Sequence, residues 1–169
     1  VSPDFIGQMA ALGIKRLDVD ELVELADHDV SPQFIAELHV LGIKDFDVDE
    51  LIELRNHDIS PAFIKSLTEL GLTDLDIDEI VELRIHNVTP KFVRELRELG
   101  FTDLEVDELV EMSIHHVTPR FVREMREKYG ELVSRVRDRA ELNDLIAQMV
   151  SELSVLHTFV RGGDQRREP

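Results

Sequence analysis

Val30–Asp58 reads VSPQFIAELHVLGIKDFDVDELIELRNHD, and the stretch recurs almost unchanged on either side. Val1–Asp29 is VSPDFIGQMAALGIKRLDVDELVELADHD, Ile59–Asn87 is ISPAFIKSLTELGLTDLDIDEIVELRIHN, and Val88–His116 is VTPKFVRELRELGFTDLEVDELVEMSIHH. A fifth unit opens with VTPRFVREM at Val117 and leaves the pattern near Tyr129. A fixed period of 29 residues without insertions is the signature of a repeat architecture, in which one supersecondary unit stacks on its neighbours.

The punctuation inside each unit names that supersecondary element. Ser or Thr precedes Pro3, Pro32, Pro61, Pro90 and Pro119. The hydroxyl suits a helix N-cap, and Pro suits the first helical position, where no N–H partner is needed. Phe5, Phe34, Phe63 and Phe92 follow at the third helical position and begin an apolar face. Gly13, Gly42, Gly71 and Gly100 then predict a left-handed helix end, with Ile14 folding back in a Schellman contact. Asp18 with Glu21 has capping-box spacing for a second helix. Val19, Leu22, Val23 and Ala26 read as the inner face of that helix, with Leu25 on its flank. Asp29, Asp58, Asn87 and His116 occupy the second helix end, where a non-glycine residue in the left-handed region is tolerated.

Each unit is therefore expected to be two helices of about ten residues joined by a tight turn. Helices that short are marginal in water and must bury their faces against the next unit. The expected fold is all-α: an α-solenoid of helical hairpins at 1–29, 30–58, 59–87 and 88–116, with a half-unit at 117–128. Residues 129–163 read as a C-terminal helical cap and 164–169 as a frayed tail. Arg120–Val136 reads as a longer first helix, and Asp138 with Glu141 as another capping box. Leu142, Leu145, Ile146, Met149, Val150 and Leu153 continue an apolar face towards His157 and Val160, and Gly162 and Gly163 end it.

Composition bounds the function. The 169 residues include 19 basic and 36 acidic side chains, a net charge of −17. The acidity belongs to residues 1–116, with nine basic against twenty-seven acidic side chains, whereas 117–169 carry ten against nine. Such a chain is not expected to bind nucleic acid, which demands clustered Lys and Arg. Its expected partner is a protein or peptide of basic character. No apolar run is long enough to span a bilayer and no basic-then-apolar leader precedes the repeats, so a cytoplasmic location is favoured. A start at Val1 is expected of a processed or excised piece. Without Cys there is no thiolate chemistry and no disulfide.

The clusters of polar residues divide between chemistry and capping. Asp18, Asp20, Glu21 and Glu24, with their counterparts, lack the loop of a calcium hand and read as first-turn charge. His28, His57, His86 and His115 form a ladder at helix C-termini. Neighbouring helices lie about 8–10 Å apart, so adjacent rungs could share a zinc at roughly 2.0–2.1 Å only with helpful geometry, and with no Cys to complete a site the His side chains are expected to cap terminal carbonyls. His115 beside His116 is the pair that comes nearest to a metal site. Ser66, Ser113, Ser134, Ser151 and Ser154 sit in no nucleophile elbow. The variable positions closing each second helix, above all Arg55, Arg84, Ile85 and Ile114, are the candidate partner surface. No cofactor is expected.

Two resemblances add to this reading. Residues 1–128 resemble a bacterial helical-hairpin repeat found C-terminal to metallopeptidase domains of the beta-lactam sensor/antirepressor type, which implies a regulatory or interaction module; no H-E-x-x-H motif accompanies it. Tyr129–Asp164, YGELVSRVRDRAELNDLIAQMVSELSVLHTFVRGGD, is similar to the start of the core domain of tricorn-type serine peptidases. That resemblance implies that His157 is a general base in a larger peptidase, whose nucleophile and acidic partner are not in this chain. The expected activity of the chain itself is non-enzymatic.

Overall fold

The computed structural model describes residues 2–14, 17–137 and 139–160, with the side chains of 139 and 153–160 outside the description. Ten helices are present among these residues, and no strand. The first eight run α1 (Pro3–Ala11), α2 (Val19–Asp27), α3 (Pro32–Val40), α4 (Val48–Asn56), α5 (Pro61–Glu69), α6 (Ile77–Ile85), α7 (Pro90–Glu98) and α8 (Val106–Ile114). Each is nine residues long. They are followed by α9 (Pro119–Val133) and α10 (Arg139–Val160). The chain divides into two compact units, Val1–Pro90 and Lys91–Pro169.

The local chemistry that starts and stops these helices is written into the repeat. The hydroxyls of Ser2, Ser31, Ser60 and Thr118 accept from the amides of Phe5, Phe34, Phe63 and Phe121 at 3.1–3.2 Å. Asp18, Asp47 and Asp76 each close a reciprocal box with Glu21, Glu50 and Glu79. The stops are Schellman motifs. Gly13 N–H donates to Ala10 O and Ile14 N–H to Met9 O; Asp29 N–H donates to Ala26 O and Val30 N–H to Leu25 O. Gly42 adopts φ +95°, and Asp29, Asp58, Asn87 and His116 adopt φ between 52° and 57°. Asp74 also has positive φ (60°), which no pattern in the sequence announced.

In the first unit like packs on like. α1 packs on α3 and α3 on α5, while α2 packs on α4 and α4 on α6. Three hairpins thus make a two-layered α-solenoid around one apolar cluster that includes Met9, Leu25, Ile35, Leu38, Leu54 and Ile80. Among the described residues no polar or charged side chain is buried. Each fully buried Leu contributes about 1.5–3 kcal/mol relative to exposure.

The inner face of α2 differs from its sequence reading. Leu25 is fully buried, whereas Val19 is 75% exposed and Val23 and Ala26 are also exposed. At the positions equivalent to Val19, Val48 is half-buried and Ile77 is 3% exposed. The side of the hairpin carrying these positions is covered by the hairpin before it, and no described residue covers it in the first hairpin.

In the second unit α7 and α8 repeat the hairpin pattern, burying Val93, Leu96, Val106, Leu109 and Val110. Helix α9 runs through residue 128 without a break, so the boundary expected there lies inside a helix. It packs on α10 through Phe121, Met125, Tyr129 and Leu145. On α10, Leu145 is buried and Met149 half-buried, but Ile146 and Val150 are exposed, which narrows the expected apolar face. Asp138, Gly162, Gly163 and the tail 164–169 lie outside the described residues, as do the side chains of Leu153, His157 and Val160. No helix among the described residues is long and apolar enough to cross a membrane.

Candidate functional site

The C-terminal ends of the second helices hold the residues singled out by the sequence. Arg55 and Arg84 are tied into the stack. Arg84 Nε donates to His57 O at 3.0 Å, and its guanidinium lies 5.7 Å from the Phe63 ring centroid. Arg55 repeats both contacts one hairpin earlier, to His28 O at 3.5 Å and over Phe34 at 5.3 Å. The cation therefore covers the Phe of its own hairpin and caps an orphan carbonyl of the preceding one. Ile85 is 50% exposed and Ile114 is 47% exposed, each within its own unit.

At His28 the structure departs from the carbonyl cap expected of the His ladder. The carbonyls of His28 and His57 accept from an arginine of the next hairpin. His28 turns its side chain sideways, with Nδ1 2.8 Å from Asn56 Oδ1. His86, His115 and His116 also have interaction partners. Among the described residues no three His, Asp or Glu side chains come together in a group fit to hold a metal ion. An arginine three residues before Asp58 and Asn87, facing an aromatic from the same unit, was the signal available for the clamp.

The seryl hydroxyls bond their own helices: Ser66 donates to Phe63 O, Ser134 to Glu131 O and Ser151 to Gln148 O, each at 2.7 Å. Ser113 also has a partner. Ser154 and His157 lie on α10 with side chains outside the description.

A feature that no sequence pattern predicted lies on the loop side of the first unit. Two grooves recur one period apart. The first, about 450 Å³, has Leu12, Ile14, Phe46 and Val48 among its lining residues, with Glu21 and Asp47. The second, about 370 Å³, has Leu41, Ile43, Leu75 and Ile77 with Glu50 and Asp76 at the same repeat positions. Lys44 lines both. His39 stacks on Phe46 in the first, with centroids 5.4 Å apart. Comparison with family models, curated proteins and solved structures found no match.

Proposed function

We propose that the chain is a non-enzymatic helical-repeat scaffold that binds a basic protein or peptide. The observation that carries this reading is the repetition of one acidic surface along stacked hairpins, with like helices on like. Stacked repeats present the same chemistry at regular intervals, which suits an elongated partner. A surface of one charge sign speeds encounter with the opposite sign and is screened by salt. The test tethers the chain and compares a Lys-rich with a Glu-rich peptide at low and high ionic strength. Binding confined to the Lys-rich peptide, and weakened by salt, supports the reading. Equal binding of both, or salt-independent binding, overturns it.

A second reading rests on the wording of the tail around His157. Here the repeats are an accessory arm of a tricorn-like serine peptidase, or a regulatory repeat segment of a bacterial sensor metallopeptidase, and the chain is a piece of it without catalysis. Hydrolysis of a fluorogenic peptide by the chain, lost in His157→Ala, would overturn the non-enzymatic assignment under either reading.

A further inference from the structure

We propose that the two loop-side grooves of the first unit form one track for an extended basic peptide, with a cationic side chain entering at each hairpin. This rests on the scaffold reading and assigns its site. The first observation is the recurrence itself. Leu12 and Ile14 in the first groove correspond to Leu41 and Ile43 in the second, and Phe46 and Val48 correspond to Leu75 and Ile77. Each groove therefore combines apolar lining from two successive hairpins.

The second observation is charge. Glu21 and Asp47 line the first groove, and Glu50 and Asp76 the second, which Asp45 and Asp74 also line. Capping engages one oxygen of each box carboxylate: Glu21 Oε2 accepts from Asp18 N–H, and Asp47 Oδ1 from Glu50 N–H. Carboxylates held in place by caps are preorganised acceptors for an arginine or lysine. Lys44 is the single Lys or Arg among the described residues lining either groove. Residues 1–90 carry twenty acidic and six basic side chains, so the wider field has the same sign.

The spacing selects the shape of the occupant. Stacked helices repeat at roughly 8–10 Å. An extended polyproline-like chain advances about 9 Å in three residues. A cationic side chain at every third position, with an apolar neighbour, thus meets successive grooves in register. Lys44, set between them, opposes such a ligand.

The test is fluorescence anisotropy with the full chain and a labelled peptide of repeating Arg-Leu-Ser. The control peptide has the same composition with its arginines clustered. Lys44→Glu changes an exposed side chain that makes no cap. Lys65→Glu makes the same charge change at a residue that lines neither groove. The repeating peptide is expected to bind more tightly than the clustered one. Lys44→Glu is expected to tighten it about fivefold at low salt, and Lys65→Glu by less than about twofold. If the clustered peptide binds as well and the two variants act equally, the track is overturned while the basic-partner reading stands. If neither peptide binds, both fall.

Discussion

Arg84 donates to the carbonyl oxygen of His57, twenty-seven residues earlier, at 3.0 Å. The bond joins the last turn of α6 to the end of α4 across the interface between hairpins. A helix end leaves carbonyls without intrahelical partners, and a solenoid repeats that deficit at every unit. The next hairpin supplies the donor here. Arg126 does the same in the second unit, donating to Leu99 O at 2.7 Å.

Arg84→Ala is expected to lower unfolding stability by about 1–2 kcal/mol, since it removes a charge-assisted hydrogen bond and packing over Phe63. Arg84→Lys is expected to recover only part, because an ammonium lacks the planar fork. Arg55→Ala is expected to cost less, as its contact to His28 O is longer, at 3.5 Å. Urea denaturation of the three variants beside the parent checks this. Equal losses for Arg55→Ala and Arg84→Ala would contradict the clamp.

Two helix stops predict opposite signs. Gly42 adopts φ +95° with open space around its α-carbon, so Gly42→Val is strained by backbone conformation rather than by a clash. A loss of at least about 1–2 kcal/mol is expected. Asp58 adopts φ 52° and places a carboxylate at the negative end of α4. Asp58→Gly relieves both features and is expected to stabilise by about 0.5–1 kcal/mol. Calorimetric melting of both variants decides the matter, and a destabilised Asp58→Gly would show that its side chain has an unrecognised role.

The fold was legible because its information is local and repeated. Ser-Pro-x-Phe, Leu-Gly and Asp-x-x-Glu each fix one helix terminus through bonds spanning three to five residues. The exposure of Val19 was not legible, because burial there is set by a neighbouring hairpin and the sequence of α2 is the same kind as that of α6. The His28–Asn56 contact and the arginine clamp were missed for the same reason: their hydrogen-bond partners lie in the neighbouring hairpin, 28 and 27 residues away. The grooves arise only when two hairpins pack, and so have no motif of their own.

Equivalent positions in the repeat are therefore expected to respond unequally. Val19→Ser is expected to change stability by less than about 0.5 kcal/mol. Ile77→Ser, at the same repeat position and 3% exposed, is expected to cost about 3 kcal/mol or more through a cavity and a buried hydroxyl. Phe34→Ala, in the core of the first unit, is expected to cost about 3–5 kcal/mol. Chemical denaturation of the set checks the ranking, and parity between Val19→Ser and Ile77→Ser would refute the stacking order.

The α9–α10 contact should carry its own pH dependence. Lys128 Nζ and Tyr129 Oη both donate to Glu152 Oε1. The bond from Lys128, more than that from Tyr129, holds the Glu152 carboxyl below the ordinary carboxylate range. The same carboxylate raises the Lys128 ammonium and the Tyr129 phenol above their usual values. A lowered Glu pKa contributes stability above its unfolded value, near pH 4.3, and loses it as pH falls through the folded value. Raised Lys and Tyr pKa values contribute below about pH 10 and lose it as pH rises through their folded values. The cluster is thus expected to be fully stabilising between about pH 5 and 9. Tyr129 is the only Tyr and the chain has no Trp, so its emission reports on this junction alone. In urea titrations followed by that emission, Glu152→Gln is expected to unfold earlier than the parent at pH 7 and together with it near pH 3. An equal gap at both pH values would mean that the carboxylate's charge plays no part in holding α10 to α9.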